Sequence, residues 1–244
     1  MSDRPLTPGP AVADSHALRD AARGTAVVVN CAGPFQETAV PVAAAAAAVG
    51  AHYVDITAEQ AAVQAVYRSQ ASLGRPGDVA VVPAMAFYGG LADLLATAAV
   101  TGWEAVDEIT VAYGIDRWWP TEGTRNTGRR NTAARLVVDG GRLVRAPRPA
   151  PERVWEFSEP LGRQTVAGNP FAEIITMAQH LAASKISAYL TTVALDDIHD
   201  PATPAPQPVD EAGRSAQLFI VDVVLRRGEE QRRISARSST RQRS

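Results

Sequence analysis

The residues with the most capacity for ligand binding follow three apolar runs of the chain. Asn30–Phe35 comes after the first run, Asp55–Thr57 after the second and Pro83–Gly90 after the third. If the runs are strands of an open α/β sheet, these segments lie beyond the carboxyl ends of the strands, where such sheets bind their ligands. The spacing therefore predicts one crevice that all three segments border.

Four residues of these segments have chemistry that suits a bound small molecule. Gly33 has no Cβ, so the backbone could come close to a bound ring or ribose. Asp55 could hydrogen-bond a substrate amine or hydroxyl, although an aspartate that caps a helix or a turn fits the sequence equally well. Phe87 and Tyr88 offer aromatic edges next to two glycines. We therefore expect Asp55, Phe87 and Tyr88 to contact the substrate.

The first part of the chain has the pattern of the elements that would position these segments. Apolar runs without polar alternation suit strands that are covered on both faces, as in a parallel sheet. Alanine-rich or capped stretches between them suit helices, the third of which begins with the capping-box spacing of Thr57 and Gln60. The alternation predicts a parallel sheet wound with helices. The predicted strands are Ala26–Asn30, His52–Ile56 and Val79–Val82, and the predicted helices are Asp14–Ala22, Gln36–Val49, Thr57–Leu73 and Leu91–Val100.

After residue 102 the chain shows partial alternation of apolar and polar residues, which is typical of antiparallel strands. Leu218–Leu225 and Gln231–Ser235 flank a turn at Gly228 and predict a β-hairpin. The expected fold class is therefore α/β: a Rossmann-type parallel sheet followed by an α+β domain with an antiparallel sheet. The helices predicted in this second part are Thr124–Val138 and Met177–Ala183.

The change of pattern also sets the expected domain bounds. Residues 1–105 form the Rossmann-type domain and residues 106–236 form the α+β domain for substrate binding or dimerisation. Residues 237–244 are a polar, basic tail, which we expect to fray.

The composition excludes several kinds of partner and site. The chain has 244 residues, of which 46% are hydrophobic, and a net charge of -2, so we expect a small-molecule substrate and neither nucleic acid nor an anionic membrane.

Cys31 is the only cysteine, and we expect a buried structural thiol there. The four histidines lack ligand spacing, so no metal site is expected. With no membrane-spanning run or secretion signal in the sequence, the expected location is cytoplasmic. The sequence does not decide whether the chain forms a homodimer.

Two other groups of residues fit a structural role better than a functional one. Four arginines could face an anionic substrate or a cofactor phosphate, but a solvated helix face fits better. Trp118 and Trp119 could line a pocket for an acyl chain, but packing in a core or a domain interface fits better. The four arginines are Arg125, Arg129, Arg130 and Arg135.

Two rival enzyme classes are excluded by residues that the chain lacks. Asn30–Gly33 resembles the Asn-Ala-Gly element of short-chain dehydrogenases, which use a tyrosine with a lysine four positions further on. The only lysine, Lys185, has Leu181 four positions before it. The G-x-S-x-G motif of serine hydrolases is absent from the sequence.

Five segments of the chain resemble saccharopine-dehydrogenase-like oxidoreductases, and the first three follow one another with the family's spacing. The first reads Val-Val-Val-Asn-Cys-Ala-Gly-Pro-Phe, and the last two are similar to the family's second domain. The resemblance covers most of the chain from about Asp14 to Ser235. The five segments are Val27–Phe35, Gly50–Thr57, Val81–Phe87, Gly123–Val144 and Phe157–Gly162.

The resemblance implies an NAD(P)-dependent oxidoreductase from the branch that includes trans-acting enoyl reductases. Such an enzyme transfers hydride to or from a small or lipid-like carbonyl, enoyl or imine substrate. The Ala-Gly-Pro-Phe turn would lie beside the nicotinamide-ribose end of the cofactor, with NADP favoured over NAD. The family's catalytic residues are not uniform enough to be assigned to positions here. The implied cofactor contacts are Asn30, Cys31, Ala32, Gly33, Pro34 and Phe35.

One departure from the family bears on the activity: the sequence contains no G-x-G-x-x-G motif. In dinucleotide-binding folds that turn and the helix after it bind the pyrophosphate. The resemblance places about two strand–helix units before Asp14, so the expectation is a Rossmann-type sheet that is incomplete and truncated at its N-terminus. The alternative function is therefore a catalytically inactive remnant that acts only as an interaction or oligomerisation module.

Overall fold

The structure, a computed structural model, describes residues 12–69, 79–211 and 213–238. The described chain divides into two compact units. The first contains residues 12–57 and the described residues from Ala61 to Met85; the second contains Ala58–Gln60 and the described residues from Ala86 onwards. The boundary between the two units at Met85 lies before the predicted helix Leu91–Val100. The domain boundary expected from the sequence, at residue 105, lies after that helix.

The first unit contains a parallel sheet flanked by helices, as predicted. Its three strands lie in chain order, and each neighbouring pair is parallel. Strands added outward one after another are what one side of a doubly wound sheet shows. The predicted end of the third helix at Leu73 lies outside the described residues. The elements are α1 (Ser15–Ala22), β1 (Val27–Asn30), α2 (Phe35–Ala48), β2 (His52–Asp55), α3 (Gln60–Ser69) and β3 (Val81–Val82).

Small residues allow the helices of this unit to approach the sheet closely. Asp14 caps α1 by accepting from the backbone N–H groups of His16 and Ala17. The alanines of α2 are favourable in a helix, and Ala43 and Ala46 pack directly against the fully buried ring of Tyr53. Gln60, which belongs to the second unit, does not contribute its side chain to the expected capping box: its side-chain oxygen accepts from the backbone N–H of Leu136, and the backbone N–H of Thr57 donates to Asp55.

The second unit contains a larger mixed sheet. Its strands are β4 (Val106–Ile115), β5 (Leu136–Asp139), β6 (Arg142–Arg145), β7 (Glu152–Glu156), β8 (Arg163–Gly168), β9 (Ala183–Thr191), β10 (Phe219–Arg227) and β11 (Glu230–Ser238). They lie in the order β11-β10-β4-β9-β5-β6, and β8 and β7 are added beside β9. The strand pairs are antiparallel except for β4 and β9, which are parallel. The predicted hairpin is present, with Gly228 at φ 58° in its turn.

Two helices predicted in this part were placed wrongly. The segment predicted as one helix to Val138 is a helix that ends at Arg130, followed by β5. The helix predicted to end at Ala183 ends at Met177, because Ala183 starts a strand that pairs with β4. Pairing of β5 and β9 with the rest of the sheet overrides local helix preference. The helices of this unit are α4 (Ala92–Ala99), α5 (Glu122–Arg130), α6 (Glu173–Met177) and α7 (Thr192–His199).

Both faces of the larger sheet are covered around its centre. On one face, Ile109, Val111 and Tyr113 of β4 join a core that includes residues of α4 and α6. On the other face, β4 passes so close to Phe157 that Gly114 has no room for a side chain. A Cβ on Gly114 would lie 2.8 Å from Cε1 of Phe157 and closer still to Cδ2 of Leu161.

A buried acid interrupts the apolar sequence of β10. Asp222 is fully buried, and the indole N–H of Trp155 donates to its Oδ2 over 2.9 Å. The side chains of Arg233 and Ser235 also donate to this carboxylate. Ser235 is the residue paired directly with Asp222 across the hairpin. Buried carboxylates are tolerated when they are paired and hydrogen-bonded in this way.

Candidate functional site

The turn after β1 is exposed at the carboxyl end of the parallel sheet. Cys31, Ala32 and Gly33 are exposed, Pro34 is partly buried, and Phe35 starts α2 with its ring packed against Ala62 and Val66. The turn therefore presents mainly backbone and small side chains to solvent. Cys31 was expected to be a buried thiol, and this was wrong, because the chain leaves the sheet immediately after Asn30.

Asn30 holds this turn from beneath. It is buried, and its Oδ1 accepts from the backbone N–H of Ala32 over 3.0 Å. Its side-chain amide donates to Oγ1 of Thr38 over 3.1 Å and to the hydroxyl of Tyr53 over 3.3 Å. Thr38 in turn donates to the carbonyl oxygen of Ala32 over 2.6 Å. Both backbone polar groups of Ala32 are thus fixed by buried side chains.

Tyr53 extends these contacts to the end of the second strand. Its hydroxyl donates to Oδ2 of Asp55 over 2.8 Å. Burial, and then the neighbouring Asp55 carboxylate, raise the pKa of Tyr53 well above its usual range. The hydroxyl therefore keeps its proton, which it needs in order to donate to Asp55.

Asp55 connects the second strand with the turn after the third. Its Oδ1 accepts from the backbone N–H of Thr57 over 3.0 Å and of Ala84 over 2.7 Å. Ala84 has φ 60°, a left-handed conformation that costs a residue with a Cβ about 1–2 kcal/mol. The Asp55 carboxylate is thus one of the groups that hold this turn in place.

Together these side chains form a buried polar network across three strand ends, from Thr38 through Asn30, Tyr53 and Asp55 to Ala84. The network brings together the predicted contacts Asn30 and Asp55, both of which face protein donors and acceptors. Asp55 is 0% exposed, and its carboxylate accepts hydrogen bonds from protein groups at the ends of the strands instead of facing solvent. Its contact with a substrate stays a prediction, as do the cofactor contacts at the exposed Cys31, Ala32 and Gly33.

In the second unit, Phe87 and Tyr88 belong to an aromatic cluster. The ring of Tyr88 lies 4.3 Å from that of Phe171 and 5.0 Å from that of Tyr113, measured between centroids. It also stacks on Trp118 at 5.5 Å, so Trp118 packs against this core as expected. The backbone at Gly89 has φ 142°, which favours glycine and turns the chain between Tyr88 and α4.

A fully buried acid, Glu173, lies next to this cluster. Its Oε2 accepts from the hydroxyl of Tyr113 over 3.0 Å, and its Oε1 accepts from the backbone N–H of Phe171 over 2.9 Å. Burial raises the pKa of Glu173 to about 7, although these hydrogen bonds and the positive charge of Arg135 work in the opposite direction. The side chain can therefore exchange a proton near neutral pH.

Sequence reasoning missed Tyr113 and Glu173. Tyr113 lies in a strand whose other residues are mostly apolar, where a tyrosine gives no functional signal. Glu173 could have been noticed, because it is a single acid inside the apolar segment Phe171–Met177. Acids are rarely buried without a partner, so such a position indicates a specific hydrogen-bonding site.

Two features are absent from the part of the chain that the structure describes. Among residues 12–69, 79–211 and 213–238, no helix is both long and apolar enough to cross a membrane. Over the same residues, no three His, Cys, Asp or Glu side chains come together as metal ligands would.

No family model matches the chain, and no curated protein matches it by sequence. Two solved structures resemble it with TM-scores too low to support any argument. One is GenD2 from gentamicin A biosynthesis in complex with NAD, with 13% identity, a TM-score of 0.35 and coverage of 91% of this chain and 57% of that one. The other is biliverdin reductase from Synechocystis in complex with biliverdin and NADP+, with 13% identity, a TM-score of 0.27 and coverage of 93% and 69%.

A third structure is similar enough to identify the fold. Apo saccharopine dehydrogenase (L-Glu forming) from Saccharomyces cerevisiae aligns with a TM-score of 0.52, covering 94% of this chain and 74% of that one. The sequence identity is 8%, so the similarity concerns the fold alone. The chain therefore shares with this oxidoreductase an α/β fold, in which a Rossmann-type parallel sheet is followed by an α+β part.

Proposed function

We propose that this chain is an NAD(P)-dependent oxidoreductase of the saccharopine-dehydrogenase-like type. The observation that carries the proposal is the buried network that fixes three parallel strand ends and leaves the backbone of Cys31–Gly33 exposed. Parallel sheets of this class bind nucleotides at that edge. The fold that the chain shares with saccharopine dehydrogenase supports the same assignment.

In the proposed site, the nicotinamide and its ribose lie against the turn from Ala32 to Pro34. Gly33 permits close approach, while Asn30 and Thr38 keep both polar groups of Ala32 in one orientation. A preorganised backbone loses little freedom when a ligand binds, which favours affinity. When bound, the cofactor would supply the hydride chemistry, and the chain would position and orient it.

The proposed substrate is a small or lipid-like molecule with a carbonyl, enoyl or imine group. Support for an apolar substrate comes from Phe87 and Tyr88, whose rings are only partly buried and would pack against an apolar group. We also propose NADP as the preferred cofactor, a choice that a comparison of the two nicotinamides will decide.

Calorimetric or fluorescence titration with NADPH and NADH tests the proposal. A dissociation constant below about 100 μM, equivalent to about -5.5 kcal/mol, is expected for at least one of them. Gly33→Val should weaken binding at least about tenfold, since the added side chain occupies the space of the cofactor. Gly128→Val is the matched control: Gly128 is exposed in α5, and a Cβ there would meet nothing within 4 Å.

Two results would contradict this function. Failure of both nicotinamides to bind at millimolar concentration would remove the cofactor from the proposal. An equal effect of Gly33→Val and Gly128→Val on binding would remove the turn after β1 from the cofactor site.

A second candidate, an interaction or oligomerisation module, is favoured by the side chains of β1. Val27 and Val29 are 45% and 58% exposed, and within the described residues β1 is at the edge of its sheet. Edge strands with exposed apolar side chains can pair with another chain. This candidate predicts an oligomer that Val29→Lys dissociates and that Val154→Lys, at a 53% exposed position of β7, leaves intact. Analytical ultracentrifugation distinguishes the two functions when it is combined with the nicotinamide titration.

A further inference from the structure

A pocket of about 410 Å³ lies beside β5, β6 and β9 of the second unit. Its apolar lining includes Val137, Val144 and Tyr189, and its polar lining includes Ser187 and Arg145. Lys185, Ser187 and Tyr189 alternate along β9 and so share one face of the strand, whereas Ile186 and Leu190 belong to the core on the other side. A volume of this size is within the range of small-molecule sites.

The hydroxyl of Ser187 has no hydrogen-bond partner within the described residues, although it is buried. Ser187 is only 8% exposed. An unpaired buried hydroxyl is costly, and such groups in native proteins are usually satisfied by a ligand or by ordered water. Ser187 therefore marks the point in the pocket where a hydrogen-bonding ligand atom would be stabilised.

A strongly basic cleft of about 710 Å³ adjoins the pocket and shares Arg145, Ala146 and Gly168 with it. The cleft is also lined by Arg135 and Arg148, and its lining contains no acidic residue. Within the described chain, Arg145 and Arg148 form no ion pair. Arg135 is held by the carbonyl oxygen of Pro170, to which it donates over 2.7 Å.

The other charges around the pocket leave this positive excess in place. Lys185 and Asp139 line the pocket and carry opposite charges. Lys185 is also paired with Glu108, at 3.6 Å between Nζ and Oε1. Among the arginines of the cleft, Arg135 interacts electrostatically with the buried Glu173, whereas Arg145 and Arg148 have no acid paired with them. An anion at the junction of the pocket and the cleft would be attracted to these two arginines.

We propose that this pocket binds a small amphipathic carboxylate. Its carboxylate accepts hydrogen bonds from the Ser187 hydroxyl and the Arg145 guanidinium, and its apolar body packs against Val137, Val144 and Tyr189. Val144 is 38% exposed, and such a ligand would cover it. The pocket shares no residue with the proposed cofactor site, and the proposal does not depend on the binding of a nicotinamide.

Calorimetric titration with decanoate, decanol and acetate tests this proposal on the full chain without cofactor. Decanol carries the apolar body alone, and acetate carries the carboxylate alone. Decanoate should bind at least about tenfold more tightly than either, because it alone satisfies both parts of the pocket. Equal binding of decanoate and decanol would indicate an apolar surface without anion recognition and would overturn the proposal.

Variants locate the site. Arg145→Ala should weaken decanoate binding about tenfold and leave decanol binding unchanged, because only the charge-assisted hydrogen bond is lost. Arg142→Ala is the matched control: Arg142 is also exposed on β6, but it does not line either cavity. Ser187→Ala should weaken decanoate binding several-fold without lowering the melting temperature, since the hydroxyl it removes is unpaired.

Three outcomes would overturn the assignment. Equal weakening of decanoate binding by Arg145→Ala and Arg142→Ala would indicate a general effect of surface charge. Binding of decanoate no tighter than that of acetate would exclude the apolar pocket. Unchanged decanoate binding in Ser187→Ala would exclude the hydroxyl as its partner. These decanoate titrations are made without cofactor, so they can be interpreted even if no nicotinamide binds to the chain.

Discussion

The hydroxyl of Tyr53 donates to Oδ2 of Asp55, two residues further along the same strand, over 2.8 Å. Residues i and i+2 of a strand share one face, so the pair lies side by side at the end of β2. Both residues are fully buried. This contact joins the part of the polar network around Asn30 to the part around Ala84.

Replacement of Tyr53 by phenylalanine should therefore destabilise the protein by about 1–3 kcal/mol. The change keeps the ring but leaves Oδ2 of Asp55 without its donor and removes one of the two hydrogen bonds that the Asn30 amide donates, the one to Thr38 remaining. Urea unfolding measures the loss. Tyr189→Phe is the control, because the Tyr189 hydroxyl makes no hydrogen bond within the described residues; an equal loss in both variants would argue against the network.

Replacement of Glu173 by glutamine should alter the pH dependence of stability. The pKa of Glu173 rises from 4.5 in the unfolded chain to about 7 in the folded one, because of burial. Between these values the folded state holds more protons, so the stability that Glu173 contributes is complete below about pH 4.5 and is lost as the pH rises through about 7. The total loss is about 3 kcal/mol.

Urea unfolding at several pH values across that interval checks this expectation. The wild type should lose stability toward neutral pH more steeply than Glu173→Gln, which cannot ionise. Glu152→Gln, at an exposed position of β7, should follow the wild type. Parallel curves for the wild type and Glu173→Gln would show that Glu173 does not titrate in this range.

Replacement of Gly114 by alanine should destabilise the protein by about 1–3 kcal/mol, the usual cost of forcing an extra methyl group into a filled core. The new Cβ would lie 2.8 Å from the ring of Phe157. Gly128→Ala is the opposite case: nothing lies within 4 Å of the new Cβ, and the helix should gain about 0.5–1 kcal/mol. Urea midpoints compare the two variants, and a stabilising Gly114→Ala would contradict the close packing.

Replacement of Gln60 by alanine should cost about 2–4 kcal/mol, because it removes three hydrogen bonds to backbone groups. The side chain of Gln60 donates to the carbonyl oxygens of Leu136 and Phe171, each over 2.9 Å, and accepts from the N–H of Leu136 over 2.7 Å. Hydrogen exchange at the Leu136 amide should also become faster. Gln64→Ala, on the same helix, serves as the control and should leave that amide unchanged.

The sequence was sufficient for the parallel sheet but not for the network that fixes its edge. Continuous apolar runs place Val27–Asn30 and His52–Asp55 in strands, and an aspartate placed before Ser15 is a local cap signal. The contacts of Asn30 with Thr38 and Tyr53 depend on how α2 and β2 pack, which no local pattern specifies. Asp55 was recognised at a strand end, but its three donors were not.

The failures in the second unit have a related cause. The residues around Leu136 favour a helix locally, yet they form a strand because β9 offers a pairing edge far away in sequence. The basic cleft shows the same limit: Arg135 was grouped with the arginines of α5, whereas the structure places it beside Arg145 and Arg148. Charges gathered by tertiary contacts cannot be recognised from spacing alone.

The carboxylate of Asp222 has a consequence for how the hairpin folds. Neighbours of Asp222 along β10, such as Val221 and Val223, belong to the opposite face and its apolar core. If β10 shifted by one residue relative to its neighbours, the acid would enter that apolar core and lose Ser235, its cross-strand partner. Misaligned pairings are thereby disfavoured relative to the native one. Asp222 thus favours the native alignment of β10 with its neighbouring strands.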